Sequence, residues 1–91
     1  MIEQIKNMAD VETFMNLIAG EINDFHPMYD FRLYVDPETN LPRYTEEESV
    51  VREKLMDKCL DEVAKHTPDM YSYLLESFNQ ALNKLAQTGA E

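Results

Sequence analysis

Apolar residues in the first part of the chain recur at alternating three- and four-residue steps, at Met8, Val11, Met15, Ile18, Ile22 and Phe25. This spacing lines one face of an α-helix. We therefore expect a helix over residues 2–25. The pattern leaves open a break near residue 10, because Asp10 can cap a helix that starts there. Pro27 disfavours helical geometry at His26, so the helix should end before that residue.

The hydrophobic period changes from about 3.6 to about 2 in the middle of the chain. Phe31, Leu33 and Val35 alternate with polar neighbours, which is typical of a half-buried strand. The turn residues of segment 36–40 follow, so we predict a β-hairpin over residues 30–44. In the favoured register one face of the hairpin is apolar and packs on the helices, and it contains Phe31, Leu33, Val35, Pro42 and Tyr44. The opposite face carries Arg32, Tyr34 and Arg43.

Two more stripes of helical spacing complete the chain. Thr45 and Glu48 have capping-box spacing in front of a helix over residues 46–66. Thr67 and Pro68 form a second start signal in front of a helix over residues 68–87, and a frayed tail is expected at 88–91. The expected fold is mainly α (small α+β), in the order helix, β-hairpin, helix, helix, as one compact domain of residues 1–91.

Composition narrows the functional classes. The 91 residues include 18 acidic and 8 basic ones, and the net charge is −10. This charge argues against binding to nucleic acid or to an anionic membrane surface. No apolar run approaches the length of a membrane-spanning helix, and no secretory signal is visible at the N-terminus. The single Cys59 forms no internal disulfide, which agrees with a cytoplasmic protein.

Catalytic and metal-binding motifs are weak in this sequence. Asp24, His26 and Asp30 lie close together along the chain, but in so acidic a sequence such clusters are common by chance. Cys59 and His66 share nearly one helix face, yet two helical turns separate them by about 10 Å. That distance is too long for an imidazole to activate a thiol. We therefore predict no catalytic residue, no cofactor and no metal.

The candidate interaction surface combines the outer face of the expected hairpin with the acidic loop before it. Its residues are Arg32, Tyr34, Arg43, Asp24, His26, Tyr29 and Asp30. Exposed Tyr and Arg are enriched at protein interfaces, although Tyr34 and Arg43 could equally form a cross-strand pair that only stabilises the hairpin. The sequence predicts a non-catalytic interaction or regulatory module with a protein partner of basic character, including an inhibitor that covers a basic surface. The alternatives are a homodimer built on the third helix and the hairpin edge, and a small ligand-binding protein or enzyme.

Overall fold

Three α-helices and one short 3-10 helix make up the computed structural model, which describes residues 2–89, with side chains for residues 2–87. The elements are α1 (Met8–Ala19), the 3-10 helix (Phe31–Leu33), α2 (Glu46–Ala64) and α3 (Met70–Gly89). The prediction of a mainly α protein is confirmed. None of the described helices is long and apolar enough to cross a membrane.

Helix α1 is shorter than the expected helix over residues 2–25. Its N-cap is Asn7, whose side-chain oxygen accepts the Asp10 N–H at 3.0 Å, so Asp10 lies inside the first turn instead of capping it. The Asp10 carboxylate in turn accepts the Lys6 N–H at 2.8 Å. At the other end Gly20 is the C-cap. Residues 2–7 and 20–25 therefore lie outside the helix, and the apolar side chains among them pack on the core from irregular segments.

The predicted hairpin over residues 30–44 is wrong. Among the described residues, strand-type pairing is limited to one isolated antiparallel bridge between Val35 and Pro42. Asp30 caps the 3-10 helix, and in such a helix the side chains at positions i and i+3 lie on the same side. Phe31 and Tyr34 are consequently both buried, at 1% and 3% exposure. The alternating pattern that suggests a strand thus belongs to a tight turn followed by extended chain.

Helix α2 begins at Glu46 as predicted, and the other three bounds of the last two helices differ from the expected ones by two residues. Thr45 forms the predicted capping box with Glu48, and α2 ends at Ala64 instead of 66. Helix α3 begins at Met70 instead of 68, because the Asp69 carboxylate accepts the Ser72 N–H at 3.1 Å and so takes the capping role. It continues to Gly89, two residues beyond the expected end. Of the expected frayed tail, residues 90–91 lie outside the described part of the chain.

The core lies where the three helices meet. Helix α1 packs against both α2 and α3, and its buried positions include Phe14, Met15 and Ile18. Each fully buried side chain of this size contributes roughly 1.5–3 kcal/mol to folding. Four aromatic residues of the segment between α1 and α2 belong to the same hydrophobic cluster: Phe25, Phe31, Tyr34 and Tyr44. These aromatic side chains hold that long connection against the helices.

Candidate functional site

Exposed apolar side chains are concentrated on the connection between α1 and α2. Nine large hydrophobic side chains of the described residues are exposed, and five of them fall within residues 28–41. We call these five the loop surface: Met28 (69% exposed), Tyr29 (55%), Leu33 (63%), Val35 (49%) and Leu41 (63%). Single exposed apolar residues are ordinary, whereas exposed apolar patches are typical of interaction sites, so the segment richest in exposed apolar side chains is the candidate site.

The inward direction of Tyr34 explains why two members of the loop surface face solvent. Tyr34 has extended backbone, with φ −75° and ψ 133°, and in extended chain successive side chains lie on opposite sides. Because Tyr34 is buried, its neighbour Val35 turns outward. Leu33 precedes Tyr34 in the 3-10 helix, where residues three apart share a side, so it lies on a different side from Phe31 and Tyr34 and is exposed. Across the turn, the Leu41 carbonyl accepts the Asp36 N–H at 2.8 Å. The loop surface therefore draws on both sides of the turn.

The Tyr34 hydroxyl fastens two parts of the connection together. It accepts the His26 backbone N–H at 2.9 Å and donates to the His26 carbonyl at 3.2 Å. Burial raises the pKa of the Tyr34 phenol, so it stays protonated and can serve as this donor. The loop that carries Met28 and Tyr29 is thus held to the segment that carries Leu33 and Val35.

A second anchor joins the 3-10 helix to α2. The Phe31 backbone N–H donates to Glu53 Oε1 at 2.6 Å. Burial raises the pKa of the Glu53 carboxyl, and the hydrogen bond from Phe31 opposes that effect. The Phe31 ring packs edge-on against Tyr44, with 5.7 Å between ring centroids. The 3-10 helix that carries Leu33 is consequently fixed both by a hydrogen bond and by aromatic packing.

A buried ion pair fixes the start and the end of the connection. Arg52 donates to both carboxylate oxygens of Glu21, with Nη2–Oε2 at 2.6 Å and Nε–Oε1 at 3.0 Å. The Tyr44 hydroxyl donates to Glu21 Oε1 at 2.9 Å, and the Arg52 guanidinium lies 4.5 Å from the Tyr44 ring centroid. The sequence analysis missed this cluster, because Arg52 also has the spacing of an exposed helical pair with Glu48.

Both partners of this pair are charged at neutral pH. Burial favours the neutral form of the Glu21 carboxyl, but hydrogen bonds from Arg52 and Tyr44 outweigh it and lower the pKa of Glu21. The hydrogen bond to Glu21 raises the pKa of Arg52. Burial, and then the hydrogen bond to Glu21, raise the pKa of Tyr44. None of the three groups is poised to exchange protons near neutral pH, so the cluster has a structural role.

Tyr34 and Arg43 do not form the exposed pair that the sequence analysis placed on the hairpin. Tyr34 is buried, and Arg43 is only half-buried. The Arg43 side chain donates from Nε to the Glu21 carbonyl at 3.2 Å and lies 5.0 Å from the Tyr44 ring centroid. Their predicted outward face does not exist, since residues 31–33 are not a strand.

The other predicted residues stay near the loop surface. Arg32 is exposed and pairs with Asp30 at 3.2 Å and with Glu46 at 3.0 Å. His26 and Tyr29 are exposed, and their ring centroids are 5.6 Å apart. Of the predicted residues, Tyr29 is thus a member of the loop surface, and His26, Asp30 and Arg32 lie close to its members along the chain. The sequence analysis assigned the other four members elsewhere or did not single them out.

A groove of about 450 Å³ adjoins Val35, between the end of α1 and the turn at residues 36–37. Its lining includes Asp24, Asp36 and the ion-paired Glu21, together with Arg43. Three carboxylates therefore line a groove that one member of the loop surface borders.

The nucleophile and the metal-ligand candidates are poorly placed for chemistry. Cys59 is fully buried, and burial raises the pKa of its thiol to about 12. His66 is exposed at the end of α2, where it lies 3.5 Å from a Glu62 oxygen. Among the described residues, no group of three or more His, Cys, Asp or Glu side chains is arranged to hold a metal ion. Asp24, His26 and Asp30 accordingly do not converge on one point.

No protein-family model, no curated protein and no solved structure matches this chain.

Proposed function

We propose that this protein is a non-catalytic interaction module that binds a protein partner through the loop surface. The observation that carries the proposal is the exposure of five large apolar side chains on one short connection, from Met28 to Leu41. Apolar area left in water is unfavourable by roughly 25 cal/mol per Å², and a partner that covers it recovers that free energy.

Anchoring of the connection supports the proposal. Tyr34 bonds to the His26 backbone, Phe31 bonds to Glu53, and Arg52 bonds to Glu21. A surface that is ordered before binding loses less conformational entropy when a partner arrives. The loop surface therefore has the properties of a preformed binding face.

The partner that fits this face is an amphipathic segment with basic residues. Asp24, Asp36 and Glu38 lie along the same connection and form no ion pair with the described residues, and the whole chain carries a net charge of −10. Opposite charge at the rim of an interface accelerates association and selects partners. A narrower form of the proposal is an inhibitor that covers a basic surface of its target. We also propose a cytoplasmic location, which the single unpaired Cys59 supports.

The test is a titration of ¹⁵N-labelled protein with a helical peptide of Leu and Lys arranged with apolar positions at i, i+3, i+4 and i+7. We expect saturable amide shifts centred on residues 26–42, and a much smaller effect from the same peptide with Glu in place of Lys. Shifts centred on α3, or equal responses to both peptides, would contradict the proposal.

Self-association through α3 is a second candidate. Tyr71 and Leu85 are 42% and 45% exposed, and helical geometry places them about 40° apart on one side of α3, roughly 21 Å along its axis. Leu75 and Leu82, between them on that side, are partly exposed. Sedimentation equilibrium over a hundredfold range of concentration tests this candidate. A dimer that Leu85→Glu dissociates would support it, whereas a monomer at all concentrations would exclude it.

A further inference from the structure

A second groove, of about 600 Å³, lies between α2 and the irregular residues before α1. Ile5 contributes to one wall, and Val51 and Leu55 contribute to the helical wall. Leu55 is buried, whereas Val51 is 41% exposed. The volume is within the range of about 300–1,000 Å³ that small-molecule sites usually have.

The basic residues of the chain fall into two sets, according to whether other groups of the protein engage them. Five of the eight are engaged by acceptors or rings of the protein itself: Arg32, Arg43, Arg52, Lys65 and Lys84. The other three are Lys6, Lys54 and Lys58, and all three line the groove. Their ammonium groups form no ion pair and no hydrogen bond with residues 2–87. Although the chain has 18 acidic residues, the three lysines without an ion pair to the described residues thus all line this groove.

Helical spacing explains how charge and apolar surface come together there. Val51, Leu55 and Lys58 follow one another at steps of four and three residues, and Lys54 falls on the same face. From position 51 to position 58 the helix rises about 10 Å. The helical wall therefore offers a short apolar track with two ammonium groups at its side, and Lys6 approaches from the opposite wall.

We propose that this groove binds a small amphiphilic anion, namely a carboxylate with a hydrocarbon chain of medium length. The chain would lie over Ile5, Val51 and Leu55, and the carboxylate would accept hydrogen bonds from the three lysines. Glu3 and Asp57 also border the groove, so its positive excess is one charge. That small excess favours a monoanion over a polyanion such as nucleic acid. This site is separate from the loop surface and does not depend on the function proposed for it.

The test uses decanoate, below its micellar concentration, as the probe and decyltrimethylammonium as the probe of opposite charge and equal chain length. Amide shifts of the ¹⁵N-labelled protein report where each probe binds. We expect saturable decanoate-dependent shifts at residues 3–6 and 51–58, with little response there to the cation. The double variant Lys54→Gln/Lys58→Gln should weaken decanoate binding at least roughly tenfold, because two hydrogen bonds to charged donors are lost.

Lys65→Gln, at the C-cap of the same helix and not among the groove residues, is the matched control and should bind decanoate as the unchanged protein does. The proposal is overturned if both probes act alike, if decanoate shifts centre on residues 28–41, or if the double variant binds with unchanged affinity. Absence of a saturable shift, or general loss of the folded spectrum, would also overturn it.

Discussion

Arg52 and Glu21 form a two-pronged ion pair between α2 and the segment that follows α1, with its shorter N–O distance at 2.6 Å. Their side chains are only 7% and 17% exposed. Each buried charge is stable only while its partner is present, because an unpaired charge there has lost its hydration without gaining an ion pair. Together with the Tyr44 hydroxyl, which donates to Glu21, the pair therefore fixes both ends of the connection that carries the loop surface.

Loss of Arg52 should destabilise the protein strongly. Arg52→Met leaves the Glu21 carboxylate without its main donor, and breaking a buried pair in this way typically costs about 3 kcal/mol or more. Urea unfolding followed by circular dichroism measures the change. The double variant Arg52→Met/Glu21→Met should regain much of the loss, since no charge is then left unpaired.

Arg32→Met is the matched control, because Arg32 also pairs with two carboxylates but is exposed. Its unfolding midpoint should stay close to that of the unchanged protein. Equal losses for Arg32→Met and Arg52→Met would show that the buried pair has no special role.

The Glu21 carboxylate should make stability depend on pH. Because its folded-state pKa lies below the ordinary value of 4.5, its ionised form stabilises the fold above that pH, and the stabilisation is lost as the pH falls through the lowered pKa. Glu21→Gln should therefore be less stable than the unchanged protein at neutral pH, and the difference should become smaller at a pH well below 4.5. Urea midpoints at the two pH values check this, and a difference that persists in acid would contradict it.

Removal of one hydroxyl should loosen the loop. Tyr34→Phe deletes both hydrogen bonds to the His26 backbone, and we expect a loss of about 1–2 kcal/mol together with faster hydrogen exchange of the His26 amide. Tyr29→Phe, at a half-exposed ring of the same loop, is the control and should change neither. An unchanged exchange rate at His26 in Tyr34→Phe would show that the hydroxyl does not hold the loop.

The Cys59 thiol should be unreactive until the protein unfolds. It is fully buried among α1, α2 and α3, and its pKa is raised to about 12. At pH 8, a disulfide reagent should label the native protein on the order of 10³-fold more slowly than the protein in urea, because labelling requires opening of the core. Rapid stoichiometric labelling of the native protein would contradict the packing described above.

The sequence predicts the last two helices well because their signals are local. The Thr45–Glu48 capping box and the helical spacing of apolar residues act over neighbouring turns. The prediction fails for the middle of the chain. Phe31, Leu33 and Val35 alternate as in a strand, but the Asp30 side chain caps a 3-10 helix there. That change reverses which of Leu33 and Tyr34 faces solvent.

The candidate site depends on contacts between distant parts of the chain, which local patterns do not contain. The Arg52 side chain crosses 31 positions of sequence to reach Glu21, although its spacing from Glu48 predicts a surface pair. Phe31 and Glu53 are 22 positions apart. The acidic composition and the presence of a connection between the first two helices are evident from the sequence. The conformation of that connection, predicted as a hairpin, and the identity of its exposed apolar residues are not.

The affinity of the basic amphipathic peptide for matched variants tests the central proposal most directly. Leu33→Ser/Val35→Ser removes two members of the loop surface, and Leu85→Ser/Val51→Ser removes two side chains of the same types that are also exposed, at 45% and 41%. Both should fold with nearly unchanged stability, since all four positions face solvent. We predict that isothermal titration calorimetry will show at least roughly tenfold weaker binding for the loop variant, with the control unchanged. Equal affinities for the two variants would contradict the assignment of the loop surface as the binding face.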